Sequence, residues 1–179
     1  MFEDYLEDAW YFASEAKGCE LNREAKRYYR ASVLFSIGAL EAFINFIGDV
    51  MEKGEVFAPY EIAFLTDKKF GPDKGDFKVF KQSEFHRLEE KLEFLLLKFV
   101  PNFNFALEPS WSRLIMFKRF RDKITHPRND EDEIEVTEYE KSILLGLSAV
   151  VDVMNSLSKG IFRKPLRQKI QDLGLGIGF

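Results

Sequence analysis

The sequence predicts an all-α fold, an antiparallel up-and-down bundle of five to six helices. Three observations predict it. Apolar residues recur at steps of three and four along several segments, no segment alternates convincingly with the period of two of a half-buried strand, and the connections are mostly short.

Each element follows in order. A first helix is expected over 4–17, ended by Gly18. The second, over about 23–53, carries Val33, Ile37, Leu40, Ile44, Ile47 and Met51 at helical spacing, with Phe35, Ala39, Ala42 and Phe46 as a stripe beside them. So wide an apolar face belongs at the centre of a bundle. A short helix follows over 59–66. Residues 67–82 contain Gly71, Pro72 and Gly75 and read as a loop, with extended character only over 77–81. Phe85, Leu88, Leu92, Leu95 and Phe99 repeat the helical spacing until Pro101 closes it. Ser110 is expected to cap the next helix, which ends by His126 because Pro127 disfavours helical geometry in the residue before it. Thr137 and Glu140 read as a capping box ahead of Ile143, Leu147, Val150, Met154 and Leu157, and Gly160 is expected to end that helix. The tail to Phe179 reads as one more short helix with a Gly-rich end. The whole is a single domain, with its core over about 23–159 and a C-terminal tail over 160–179.

A chain of 179 residues can bury a core without metal or disulfide staples. Its 46% hydrophobic and 31% charged residues exclude a disordered or low-complexity chain. The single cysteine, Cys19, excludes an internal disulfide and a cysteine-cluster metal site. The acidic start, MFEDYLEDAW, lacks the pattern of a secretory signal, and Glu41, Asn45 and Asp49 interrupt the most apolar stretch. A cytoplasmic protein without a membrane partner is expected. Scarce asparagine, glutamine and cysteine hint at a thermophilic source.

The net charge of −4 argues against a surface built throughout for nucleic acid. The charge is uneven, however. Lys118, Arg119, Arg121, Lys123 and Arg128 form one basic cluster, and Arg163, Lys164, Arg167 and Lys169 another. The acid run between them, Asp130 to Glu133 with Glu135, reads as a solvated loop.

Most common active-site patterns are missing. His86 and His126 are the only histidines, far apart in sequence and without carboxylates at ligand spacing. There is no calcium loop, Gly-rich phosphate loop, nucleophile elbow or cysteine beside a base. Neither a metal nor another cofactor is expected. What remains is the helix SWSRLIMFKRFRDKITH over 110–126. Its apolar seam is Leu114, Phe117 and Ile124, with Arg121 at the seam's own spacing. A guanidinium there is costly unless paired or set at an interface or cleft. Asp122 and His126 stand i to i+4, within reach for a carboxylate to orient an imidazole. An arginine and an oriented histidine without metal suffice for phosphodiester cleavage by the substrate's own 2′-hydroxyl.

A plainer reading competes. A histidine before proline often only caps carbonyls, and Arg121 in the seam can pair with Glu41, the carboxylate embedded in the apolar second helix. On the local pattern alone this reading is the stronger. Elsewhere, Lys68, Lys69, Lys74, Lys78 and Lys81 interleave with Phe70, Phe77 and Phe80 as in a single-strand platform, although loop anchoring is favoured. The basic tail around 163–169 is a phosphate-contact candidate of low specificity.

The string Phe120-Arg121-Asp122-Lys123-Ile124-Thr125-His126-Pro127 resembles the R-x4–6-H motif of the HEPN superfamily, and the preceding helix AKRYYRASVLFSIGALEAFINFI resembles HEPN helices that carry a glutamate before the motif helix. The resemblance covers about 23–159. It implies a metal-independent endoribonuclease for single-stranded RNA, with two protomers pooling Arg121 and His126 into one site. Arg121 then holds the scissile phosphate, His126 acts as general acid or base, and Asp122 orients the imidazole. Lys118, Arg119, Lys123 and Arg128 follow as RNA-binding candidates. A homodimer, RNA and a protein regulator such as an antitoxin are the implied partners, in a toxin or defence role.

Three readings stay open: the homodimeric ribonuclease; a non-catalytic HEPN-like module that binds RNA, a nucleotide or a protein; and a structural bundle whose Arg–Asp–His grouping only ties helices together.

Overall fold

The computed structural model describes residues 1–126 and 134–175. Within them the chain is mostly helical, as the apolar periodicity requires. Seven helices are described: α1 (Phe2–Gly18), α2 (Asn22–Lys53), α3 (Pro59–Leu65), α4 (Leu88–Phe99), α5 (Pro109–Thr125), α6 (Val136–Phe162) and α7 (Gln168–Gly174).

The core lies where α2 and α6 meet their neighbours. All six residues of the first α2 stripe, from Val33 to Met51, are buried, as are Ile143, Leu147, Val150, Met154 and Leu157 of α6. In the second α2 stripe Ala39 is buried, but Phe46 stays 42% exposed. α1 packs most extensively on α2. Its buried residues are Leu6, Ala9, Ala13 and Ala16, at steps of three and four, and the three alanines keep that face narrow enough for close approach. α2 and α6 each hold a stretch long and apolar enough to cross a bilayer, and 56% of each stretch is buried within the chain's own core.

The stretch 67–82 is not a plain loop. It folds as an antiparallel hairpin of β1 (Lys68–Asp73) and β2 (Asp76–Ser83), pairing Phe70 with Val79 and Asp73 with Asp76. Lys74 and Gly75 make the two-residue turn with φ of 49° and 95°, the double left-handed geometry that matches strand twist. Most of its residues are exposed, so the alternation that would reveal it is weak.

Several ends differ from expectation. α5 starts at Pro109 after Glu108, not at a Ser110 cap, because proline's fixed φ suits the first helical position. Glu135 precedes α6, so Thr137 lies inside its first turn and Glu140 accepts a hydrogen bond from Tyr29 Oη instead of closing a capping box. α6 continues through Gly160 to Phe162 and is stopped by Arg163 at φ 57°. Gly160 sits against the Phe99 carbonyl, where a Cβ would come within 2.5 Å. Phe85 precedes α4 and is 83% exposed.

Candidate active site

α5 buries Trp111, Leu114, Phe117 and Phe120. Arg121 follows at the edge of that face, half-buried. Its Nε lies 3.3 Å from Asp122 Oδ1, while Asp122 Oδ2 takes Lys118 Nζ at 3.1 Å. Lys118 also reaches α4, 2.7 Å from Glu89 Oε1. The hydrogen bond to Glu89 is the main reason the Lys118 ammonium is held above its ordinary value. For Glu89, burial pushes the carboxyl up, but the bonds from Lys118 and a backbone amide bring it below the usual range.

These groups line a 450 Å³ cavity between α2, α4 and α5. Three buried polar atoms on its wall have no hydrogen-bond partner among the described residues: His86 Nε2, Glu89 Oε2 and Arg121 Nε. Buried polar atoms are seldom left unpaired, so these favour water or a polar ligand in the cavity. Asp67 builds this wall. At φ 55° it turns the chain into the hairpin, its Oδ1 accepts the His86 amide at 2.8 Å, and its Oδ2 meets Lys91 Nζ at 2.6 Å. The His86 ring is further held by Phe64 and Phe70, at centroid distances of 4.8 and 5.7 Å.

The expected catalytic trio is only partly assembled. Arg121 and Asp122 line the cavity, but His126 lies outside it, exposed at the C-cap of α5. The amide of His126 donates to the Asp122 carbonyl at 2.9 Å. The expected bond from the Asp122 carboxylate to the imidazole is not formed: Lys118 pairs with Oδ2, Arg121 Nε lies beside Oδ1 without hydrogen-bonding it, and His126 leaves helical geometry as the C-cap at φ −130° and ψ 61°. No described residue hydrogen-bonds the imidazole. Glu41 shares the cavity with Arg121 yet is exposed, and no Arg121–Glu41 ion pair forms, so the buried-bridge account of the two residues does not hold.

The basic candidates divide. Lys118 is committed to Glu89 and Asp122. Arg119 is exposed beside a separate groove of α5 and α6, and Lys123 lies 3.7 Å from Glu138. Arg128 lies outside the described residues. In the tail, Arg167 pairs with Glu3, and Lys169 with Glu7 at 2.8 Å, so these cations tie α7 to α1. In the hairpin, Phe77 packs on Tyr60 and Lys78 pairs with Asp73 at 3.0 Å, both of them anchoring contacts.

Sequence reasoning missed Asp67, His86, Glu89 and Lys91. His86, far from His126 in sequence, lines the same cavity as Arg121. The available signal was Lys91, a lysine one residue from Leu92 on the apolar face of α4 and only 6% exposed. Among the described residues no three His, Cys, Asp or Glu side chains gather as a metal-binding group. Comparison with family models, with curated proteins and with solved structures gave no match for this chain.

Proposed function

We propose that the chain is a HEPN-type up-and-down helical bundle that cleaves single-stranded RNA without metal, as a homodimer with one composite site. The observation that carries this reading is the pairing on α5 of a cavity-lining Arg121 with an exposed His126 whose imidazole has no described partner. They stand five positions apart, about 7.5 Å along the helix and about 140° around it. A single protomer therefore presents them in different directions, and a second α5 across a two-fold axis supplies the complementary groups.

In this mechanism the substrate 2′-oxygen attacks phosphorus and the P–O5′ bond breaks. The products are a 2′,3′-cyclic phosphate and a 5′-hydroxyl. His126 takes the 2′-hydroxyl proton or gives one to the departing 5′-oxygen. Arg121 binds the phosphate and stabilises charge on its non-bridging oxygens. Asp122 acts on Arg121 and Lys118, not on the imidazole, so it is a positioning residue.

Incubation with single-stranded RNA in excess chelator tests the reading. Cleavage that leaves DNA intact, from a dimer by light scattering, is the expected result. A strict monomer, or cutting that depends on added magnesium, overturns it.

The cavity favours a second reading, a non-catalytic HEPN-like module that holds a nucleotide. Its unpartnered His86 Nε2 and Glu89 Oε2 offer polar contacts to a base, with Arg121 for a phosphate. Saturable nucleotide binding without RNA cleavage is its signature.

A further inference from the structure

The first two turns of α2 carry a cationic stripe that no catalytic role absorbs. Arg23, Lys26, Arg27 and Arg30 recur at helical spacing and, with Asn22 and Glu135, line an open 690 Å³ concavity. Arg23, Arg27 and Arg30 are exposed and form no ion pair with a described residue. A chain of net charge −4 thus gathers four cations in eight residues; among the described residues Glu24 and Glu135 stand beside them, and Glu140 bonds Tyr29 next to Arg30.

The concavity lies at the His126 end of the molecule. Tyr29 stacks on Tyr139 at 5.9 Å and bonds Glu140 at 2.9 Å, and Tyr139 meets Phe120 edge-on at 5.3 Å. These contacts set the start of α2 level with the start of α6 and the last two turns of α5.

We infer that this stripe is a docking track for the phosphate backbone of single-stranded RNA, leading the strand to the His126 end of α5. The identity of the strand rests on the ribonuclease reading. The surface itself selects a polyanion: its lining holds no apolar side chain, so it offers nothing to an amphipathic helix or to acyl chains. Unpaired arginines in a concave surface suit phosphate oxygens, which they bind in forked geometry.

The test measures binding of a labelled single-stranded RNA to His126→Ala protein, so that the strand stays intact, with and without Arg27→Ala and Arg30→Ala. Because both arginines are exposed, circular dichroism and thermal unfolding should not change. The two substitutions should weaken binding about tenfold at moderate salt and flatten the slope of log K against log salt by about 1.4, the share of two phosphate contacts on a single strand. An unchanged affinity and slope overturns the track and leaves the cleavage reading standing. Conversely, loss of binding in a chain whose native form never cuts RNA supports the track and sinks the ribonuclease. Anionic lipid vesicles that bind through the same arginines while RNA does not would overturn it as well.

Discussion

Asp67 accepts the backbone N–H of His86 at 2.8 Å across the base of the hairpin, and this contact sets the histidine in the wall of the cavity that Arg121 shares. The other Asp67 oxygen neutralises Lys91, whose side chain is only 8% exposed.

Asp67→Ala should therefore cost about 2–4 kcal/mol, since it leaves a buried ammonium unpaired and frees the His86 amide. Urea unfolding checks the value. Adding Lys91→Met should recover much of the loss, because removing both partners spares the unpaired charge. A double variant as unstable as the single would show that Asp67 acts through the turn alone.

Lys118 gives a pH-dependent prediction. Glu89 sits below its ordinary 4.5, so its contribution is present above that pH and fades as pH falls through the lower folded value. Lys118 sits above its ordinary 10.5, so its contribution is full below that pH and fades as pH rises through the raised value. The stability difference between native protein and Lys118→Met should be about 1–2 kcal/mol and flat across neutral pH, shrinking toward both extremes. Denaturation midpoints across the pH range measure it.

Gly146 faces the Phe117 ring where α6 crosses α5, and a Cβ there would lie 2.2 Å from the ring. Alanine is favoured by about 1 kcal/mol in a helix interior, but the overlap outweighs it. Gly146→Ala should lower stability by about 1–3 kcal/mol in thermal unfolding. A stabilised variant would mean that Phe117 can move freely.

The helical frame was legible because burial imposes a period: every residue of the main α2 and α6 stripes is inside. Arg121 was legible for the same reason, as a cation out of place on an apolar seam. The hairpin was not, since strands exposed on most positions carry little alternation and Lys74 is an uncommon occupant of a left-handed turn position. The competition for Asp122 was also hidden. Spacing along α5 offers it His126, but Lys118 stands at the opposite i to i−4 position, and α4 brings Glu89 to that lysine. Which partner wins depends on tertiary contact. The wall of Asp67 and His86 is assembled across the whole hairpin, a separation that local pattern does not encode.

The central claim, cleavage through the substrate's own 2′-hydroxyl with His126 as acid or base, is tested most directly by one RNA oligonucleotide in chelator, compared with the same strand made 2′-deoxy at the cut site. The native chain should cut the first, leaving a 2′,3′-cyclic phosphate, and leave the second whole. His126→Ala should lower the rate about 10²–10⁴-fold with folding stability changed by less than about 1 kcal/mol. Cleavage of the deoxy-substituted strand, or undiminished cutting by His126→Ala, would contradict the account.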